Sequence, residues 1–213
     1  MKPLLTLITI LALAGAAAAQ INHPYNEVGI YTVEDPDGCE SAQIDVAEGE
    51  MFTAYLVLTN PWHAALGRPV THLGAVEFRV ELPAGLETLG MVWPSGTEVW
   101  PQWDGDAVEF LAGFMVPAPV IDGSITIIEF RFLASSAQPG FIYLQPHVLG
   151  TPSVPGAIAF TDADDGFSTQ VMHPVSGSFD VPVFAINWDG ELSFCATVPL
   201  RDESFGGLKA LYR

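Results

Sequence analysis

Residues 75–82 read AVEFRVEL, and this stretch decides the fold class. Val76, Phe78, Val80 and Leu82 alternate with Glu77, Arg79 and Glu81. A period of two sends successive side chains to opposite faces of an extended chain, so the stretch predicts a strand with one face buried and one in water. Upstream, residues 51–59 (MFTAYLVLT) are more continuously apolar and predict a central strand covered on both sides. Downstream, residues 124–133 begin in one parity with Ile125 and Ile127, then switch to Ile128, Phe130 and Phe132. A β-bulge near Ile127 accounts for the switch.

The same reading extends along the chain. Further strands are expected at 28–33, 43–46, 86–93, 107–115, 141–148, 157–161, 169–173, 179–186 and 192–198. Asp-Gly, a dipeptide suited to tight hairpins, occurs at 37–38, 104–105, 122–123, 165–166 and 189–190. Short strands punctuated by Gly, Pro and Asp predict an all-β protein, a two-sheet antiparallel β-sandwich of about nine strands. No period repeats, so a propeller or solenoid is not supported.

The N-terminus has the three-part layout of a secretory signal peptide. Lys2 is followed by an apolar run from Leu4 to Leu13, then small residues ending in Ala17-x-Ala19 before Gln20. The run is shorter than the roughly 20 apolar residues needed to span a bilayer. The expected organisation is therefore a signal peptide over 1–19, a sandwich domain over 20–198 and a C-terminal tail over 199–213, with no membrane span in the mature chain. Phe205, Leu208, Leu211 and Tyr212 have helical spacing in the tail, but Gly206 and Gly207 weaken any helix. Cleavage after Ala19 would leave six basic against 25 acidic side chains. That balance excludes nucleic acid, whose phosphates need Lys and Arg, and anionic membrane surfaces.

Cys39 and Cys195 stand near opposite ends of the mature chain. In an oxidising compartment such a pair most simply forms one disulfide, the alternative being two buried thiols. Closing so long a loop would add at most about 5 kcal/mol.

Candidate chemistry is sparse. Asp162-Ala163-Asp164-Asp165-Gly166 gathers three carboxylates before a glycine turn, as calcium requires. Gly166 arrives one residue early for an EF-hand, and a solvated acidic turn is the plainer reading. Trp93, Trp100 and Trp103 would make a stacking platform for sugar rings if exposed together, but they also suit core or loop packing. Trp62 and Trp188 stand alone and read as structural. His63 and His72 flank a loop without metal-site spacing. With no Gly-x-Ser-x-Gly elbow, no catalytic residue is assigned and no cofactor is expected.

Three segments together resemble the cohesin-like family of β-sandwiches, which also includes certain carbohydrate-binding modules of secreted bacterial proteins. They are the turn Glu48-Gly49-Glu50 leading into 51–61, the Gly-led strand from Gly74 through Pro83 to Leu86, and Asp122-Gly123 running into 124–132 ahead of Gly140. The likeness covers residues 43–148 and implies a jelly-roll sandwich. The dockerin docking of cohesins does not carry over, because no dockerin-contact residue can be placed here. The expected function is a non-enzymatic recognition or structural module that binds a protein outside the cytoplasm. The alternatives are a polysaccharide-binding module using the tryptophans and a hydrolase with an unrecognised site.

Overall fold

Alternation along the strands becomes two facing layers. The computed structural model describes residues 25–36, 39–190 and 192. In chain order the strands are β1 (Glu27–Tyr31), β2 (Gln43–Ile44), β3 (Met51–Thr59), β4 (Trp62–His63), β5 (Arg68–Pro69), β6 (His72–Glu81) and β7 (Leu86–Val92). Then follow β8 (Thr97–Asp104), β9 (Ala107–Pro119), β10 (Ser124–Ala134), β11 (Gly140–Gln145), β12 (Ile158–Asp162), β13 (Ser168–Pro174) and β14 (Phe184–Ile186). Two single 3-10 turns, Cys39–Ala42 and Ala163–Asp165, interrupt them.

The back layer runs β1–β3–β10–β7. The front layer runs β8–β9–β6, and the far edge of β6 is shared by β11 and β12. The layers join where β1 pairs in parallel with β13, and the end of the sandwich closes where β14 pairs in parallel with β2. Other pairings among these strands are antiparallel.

Between the layers, Phe78, Phe110, Phe130, Phe132, Phe160 and Phe184 are fully buried. Phe110 of the front layer lies 5.1 Å from Phe78 and 6.3 Å from Phe130 of the back layer, so one aromatic stack bridges the sandwich. Each such ring contributes roughly 1.5–3 kcal/mol through burial.

Several expectations hold. The β3–β10 register shifts between Thr126 and Ile128, so the bulge at Ile127 is present and both isoleucines point inward. The β9–β10 hairpin turns on Asp122-Gly123, where φ is 50° and 83° and Ile121 and Ser124 exchange backbone bonds. Such left-handed geometry favours glycine and tolerates aspartate. Trp62 stacks on Tyr25 and Trp188 packs edge-on against Phe141.

Others are corrected. Fourteen strands are present among the described residues where about nine were expected. The surplus includes β4 and β5, which are only two residues long and too short to carry any alternation, while the strand expected at 43–46 shrinks to the two residues of β2. The strand expected at 179–186 is confined to 184–186, because Ser176 turns the preceding segment by donating to the carbonyls of Ser178 and Val181. β3 is central, but its outer face is not covered throughout, since Met51 is 70% exposed. The strand expected at 192–198 and the tail at 199–213 lie outside the described residues, apart from Leu192.

Candidate functional site

The outer face of the front layer carries the chain's unusual chemistry. Register aligns Trp100, Leu111, Glu77 and Ala159 in one row across β8, β9, β6 and β12, on the side away from Phe78 and Phe110. The alternation of 75–82 predicts that Glu77 is wet. It is buried instead, because residues 146–157 lie over it as a strap. Its carboxylate accepts the Ser153 N–H at 2.9 Å, the Ser153 hydroxyl at 2.8 Å and the Val154 N–H at 3.3 Å.

Glu109, the neighbouring outward position on β9, is fully buried under the same strap. It accepts the N–H groups of Leu149 at 2.8 Å and Val148 at 3.1 Å, and the Arg79 guanidinium at 3.0 Å. Burial pushes the Glu109 carboxyl up, but the Leu149 N–H, Arg79 and the Val148 N–H outweigh it and hold the group below the usual carboxylate range. Arg79 also reaches Asp104 at 3.1 Å and Glu81 at 3.4 Å.

Beyond the strap this face exposes apolar side chains, with Glu98 and Gln102 flanking them along β8. Trp100 is 53% exposed and its cross-strand neighbour Leu111 44%, with Met115 further along β9 at 74%. Among the described residues β8 pairs only with β9, and the register runs through Pro101 without a shift. Trp103, 54% exposed, therefore has the opposite parity from Trp100. Trp93 is set apart from both: its ring packs edge-on against core Phe110 at 5.4 Å.

The acidic loop is tied down residue by residue. Asp162, fully buried, accepts from Arg68 at 2.8 Å and caps the 3-10 turn through the Asp164 N–H. Asp164 accepts the Thr71 hydroxyl at 2.6 Å, the Thr71 N–H at 3.2 Å and His72 Nδ1 at 3.0 Å. The Thr71 hydroxyl is the main reason its carboxyl sits below the usual range. Asp165 meets His63 Nε2 at 2.9 Å, and that bond lowers its carboxyl in the same way. His63 and His72 thus each take a different aspartate of one loop. Among the described residues, no three His, Cys, Asp or Glu side chains are grouped to hold a metal ion.

Ser168 Oγ also lies 2.9 Å from His63 Nε2. A relay needs the carboxylate and the hydroxyl on opposite ring nitrogens. Here both meet Nε2, while Nδ1 accepts the Leu66 N–H at 3.2 Å. Nε2 therefore carries the proton and cannot take one from Ser168.

Cys195 and the side chain of Cys39 lie outside the described residues. Ala42, ending the turn that Cys39 begins, and Leu192 share a small apolar cluster with Tyr31, Val57 and Ala185.

Comparison with solved structures gives the architecture a parallel. A type II cohesin domain from the cellulosome of Acetivibrio cellulolyticus matches over 78% of this chain and 97% of its own, with a TM-score of 0.52 and 12% identity. The fold is a cohesin-like β-sandwich. The non-cellulosomal cohesin of Archaeoglobus fulgidus matches over 70% and 86%, with a TM-score of 0.44 and 14% identity. The sixth cohesin of the A. cellulolyticus scaffoldin B, solved in complex with a Cel5 dockerin, matches over 76% and 98%, with a TM-score of 0.48 and 14% identity. No protein-family profile matches the chain, and no curated protein does.

Within this cohesin-like frame, sequence reading missed Glu77, Glu109 and the strap they hold. The strap contributes mainly backbone N–H groups, which leave no mark in a sequence.

Proposed function

We propose that the chain is a non-catalytic, exported recognition module that binds a protein partner on the outer face of β8 and β9. One observation carries this reading. Trp100 and Leu111 stand side by side, half exposed, on an ordered sheet beside a strap that buries the rest of the row. Adjacent exposed apolar groups with an aromatic anchor are the usual make-up of a binding patch. The chemistry at His63 supports a binding role over hydrolysis, since the Ser168 hydroxyl shares Nε2 with Asp165 while Nδ1 accepts the Leu66 N–H.

Export rests on the signal-like residues 1–19, and among the described residues no helix is long and apolar enough to cross a membrane. A Cys39–Cys195 disulfide fits the shared seating of Ala42 and Leu192. Two alkylatable thiols in the folded, unreduced chain would remove it.

The carbohydrate reading keeps one supporting observation, the exposure of both Trp100 and Trp103. A titration separates the two. Immobilised chain is challenged with secreted proteins, a dockerin domain and soluble polysaccharides, using Trp100→Ala, Trp103→Ala and Trp188→Ala variants. Protein capture that Trp100→Ala loses and Trp188→Ala keeps supports the proposal. A polysaccharide that shifts tryptophan emission, and needs both Trp100 and Trp103, replaces it with the carbohydrate reading.

A further inference from the structure

The acidic side chains that point outward from β6, β8 and β9 are Glu77, Glu81, Glu98, Asp104 and Glu109. Most of them already have donors within the chain. The strap holds Glu77, the strap and Arg79 hold Glu109, and Arg79 also meets Glu81 and Asp104. Glu98 is exposed and has no hydrogen bond or ion pair among the described residues. Those residues include three arginines and no lysine. Arg68 is taken by Asp162, Arg79 by Glu109 and Arg131 by Glu129. Glu98 is thus the carboxylate on this face that the described chain leaves without a counter-charge.

The register sets Glu98 directly opposite Gly113 of β9, as it sets Trp100 opposite Leu111. Leu111, Gly113 and Met115 share one side of their strand, and Glu98 and Trp100 share the same side of theirs. Gly113 is not explained by its backbone, since its φ lies outside the left-handed region. Crowding does not explain it either, since an added Cβ would meet no atom within 4 Å. Glycine inside a strand weakens it and often marks the close approach of a ligand or of another backbone. Here it leaves a notch, floored by Gly113, flanked by Leu111 and Met115, and bounded along β8 by Trp100 and Glu98. Among the described residues β8 is the outermost strand of the layer, so the notch is open at the sheet edge.

We propose that this notch receives an arginine side chain of the protein partner. The proposal rests on the β8–β9 binding role above and names the chemistry of its occupant. A guanidinium is planar and weakly hydrated, so it can stack on the Trp100 indole while pairing with the Glu98 carboxylate. Its aliphatic stem suits Leu111 and Met115. Charge complementarity selects the same occupant: an acidic segment would be repelled by Glu98, and a neutral one would leave that carboxylate covered and unpaired.

N-acetylargininamide tests the notch on the folded, ¹⁵N-labelled full chain, with the indole N–H signals of Trp100 and Trp188 followed during titration. The Trp100 signal is expected to shift saturably, and neutral N-acetylglutaminamide to leave it in place. Glu98→Gln should weaken the binding at least about fivefold. Gly113→Leu, which enters open space and leaves the fold intact, should weaken it as much by filling the notch. Equal affinity in wild type and Glu98→Gln overturns the proposal. So do equal shifts at Trp100 and Trp188, which report general attraction to an acidic surface. Protein capture that needs Trp100 but survives Glu98→Lys keeps the binding face and overturns its basic occupant. Capture that survives Trp100→Ala overturns the face and the occupant with it. A dimer, seen by light scattering, that Glu98→Lys dissociates also overturns the proposal, since a second copy would then fill the notch.

Discussion

Two loops lie against the front layer and are held by opposite means. The strap at 146–157 contributes backbone N–H groups, and the sheet supplies two buried carboxylates, Glu77 and Glu109. The loop at 162–168 contributes carboxylates, and the segment 63–72 supplies the donors His63, Arg68, Thr71 and His72. The first arrangement places its charges deep in the sheet, where every lost partner leaves a buried group unsatisfied. The second keeps most of its charges near water, where a lost pair is rehydrated at little cost. The strap is therefore the brittle attachment and the acidic loop the tolerant one.

Substitution should rank them. Glu109→Ala removes an acceptor from Arg79 and from two backbone N–H groups, and should cost about 3 kcal/mol in urea unfolding. Glu77→Ala, which strands only neutral donors, should cost about 2 kcal/mol, with Glu77→Gln recovering part of it. Asp164→Ala, in the more exposed loop, should cost about 1 kcal/mol or less. A larger loss at Asp164 than at Glu109 would reverse the comparison.

Acid should loosen both attachments, and two amides report them separately. Glu109, Asp164 and Asp165 all have carboxyls held below their ordinary values in the fold. A depressed carboxyl contributes stability that is present above the unfolded-state value of about 4 and is lost as pH falls through the folded value. Amide hydrogen exchange below about pH 4 should therefore quicken at Leu149, bonded to Glu109, and at Thr71, bonded to Asp164. Unchanged protection at both amides down to pH 2 would contradict the assigned shifts.

The smallest effect is expected from chelation. Each of Asp162, Asp164 and Asp165 already has its own protein donor, so a chelator should leave the melting temperature unchanged. A drop of several degrees, abolished in Asp164→Ala, would place calcium among the three.

These loops also show what the sequence can and cannot disclose. Period-two runs made β6, β10 and the Ile127 bulge legible, because burial on one face writes itself into every second residue. The aspartates at 162–165 and the histidines at 63 and 72 were visible as residue types, but their pairing is a tertiary fact that spans about a hundred positions. The strap was invisible for a stronger reason. Val148, Leu149 and Val154 serve Glu77 and Glu109 through their N–H groups, which almost any residue could supply. Glu77 itself was misread as wet because alternation reports which face a side chain takes, not whether a distant segment will cover that face. At Gly74 the structure supplies a reason the sequence could not: a methyl there would collide with the ring of Phe167.

The closure between β2 and β14 bears on how the chain comes to be folded. Asn187 accepts the Val46 N–H at 2.7 Å and donates its own N–H to the Ile44 carbonyl at 2.9 Å, partners more than 140 positions apart. Until residues 184–187 have left the ribosome, β2 has no neighbour among the described strands and β11 lacks β14 at its outer edge. Synthesis at about 5–20 residues per second would leave those edges open for roughly ten seconds after β2 emerges. Contacts of such long range also place the domain among slow folders, on the scale of milliseconds to seconds. The nascent chain must therefore pass through a stage with unpaired strand edges, and the acidic excess already carried by residues 27–129 would keep neighbouring copies apart during it.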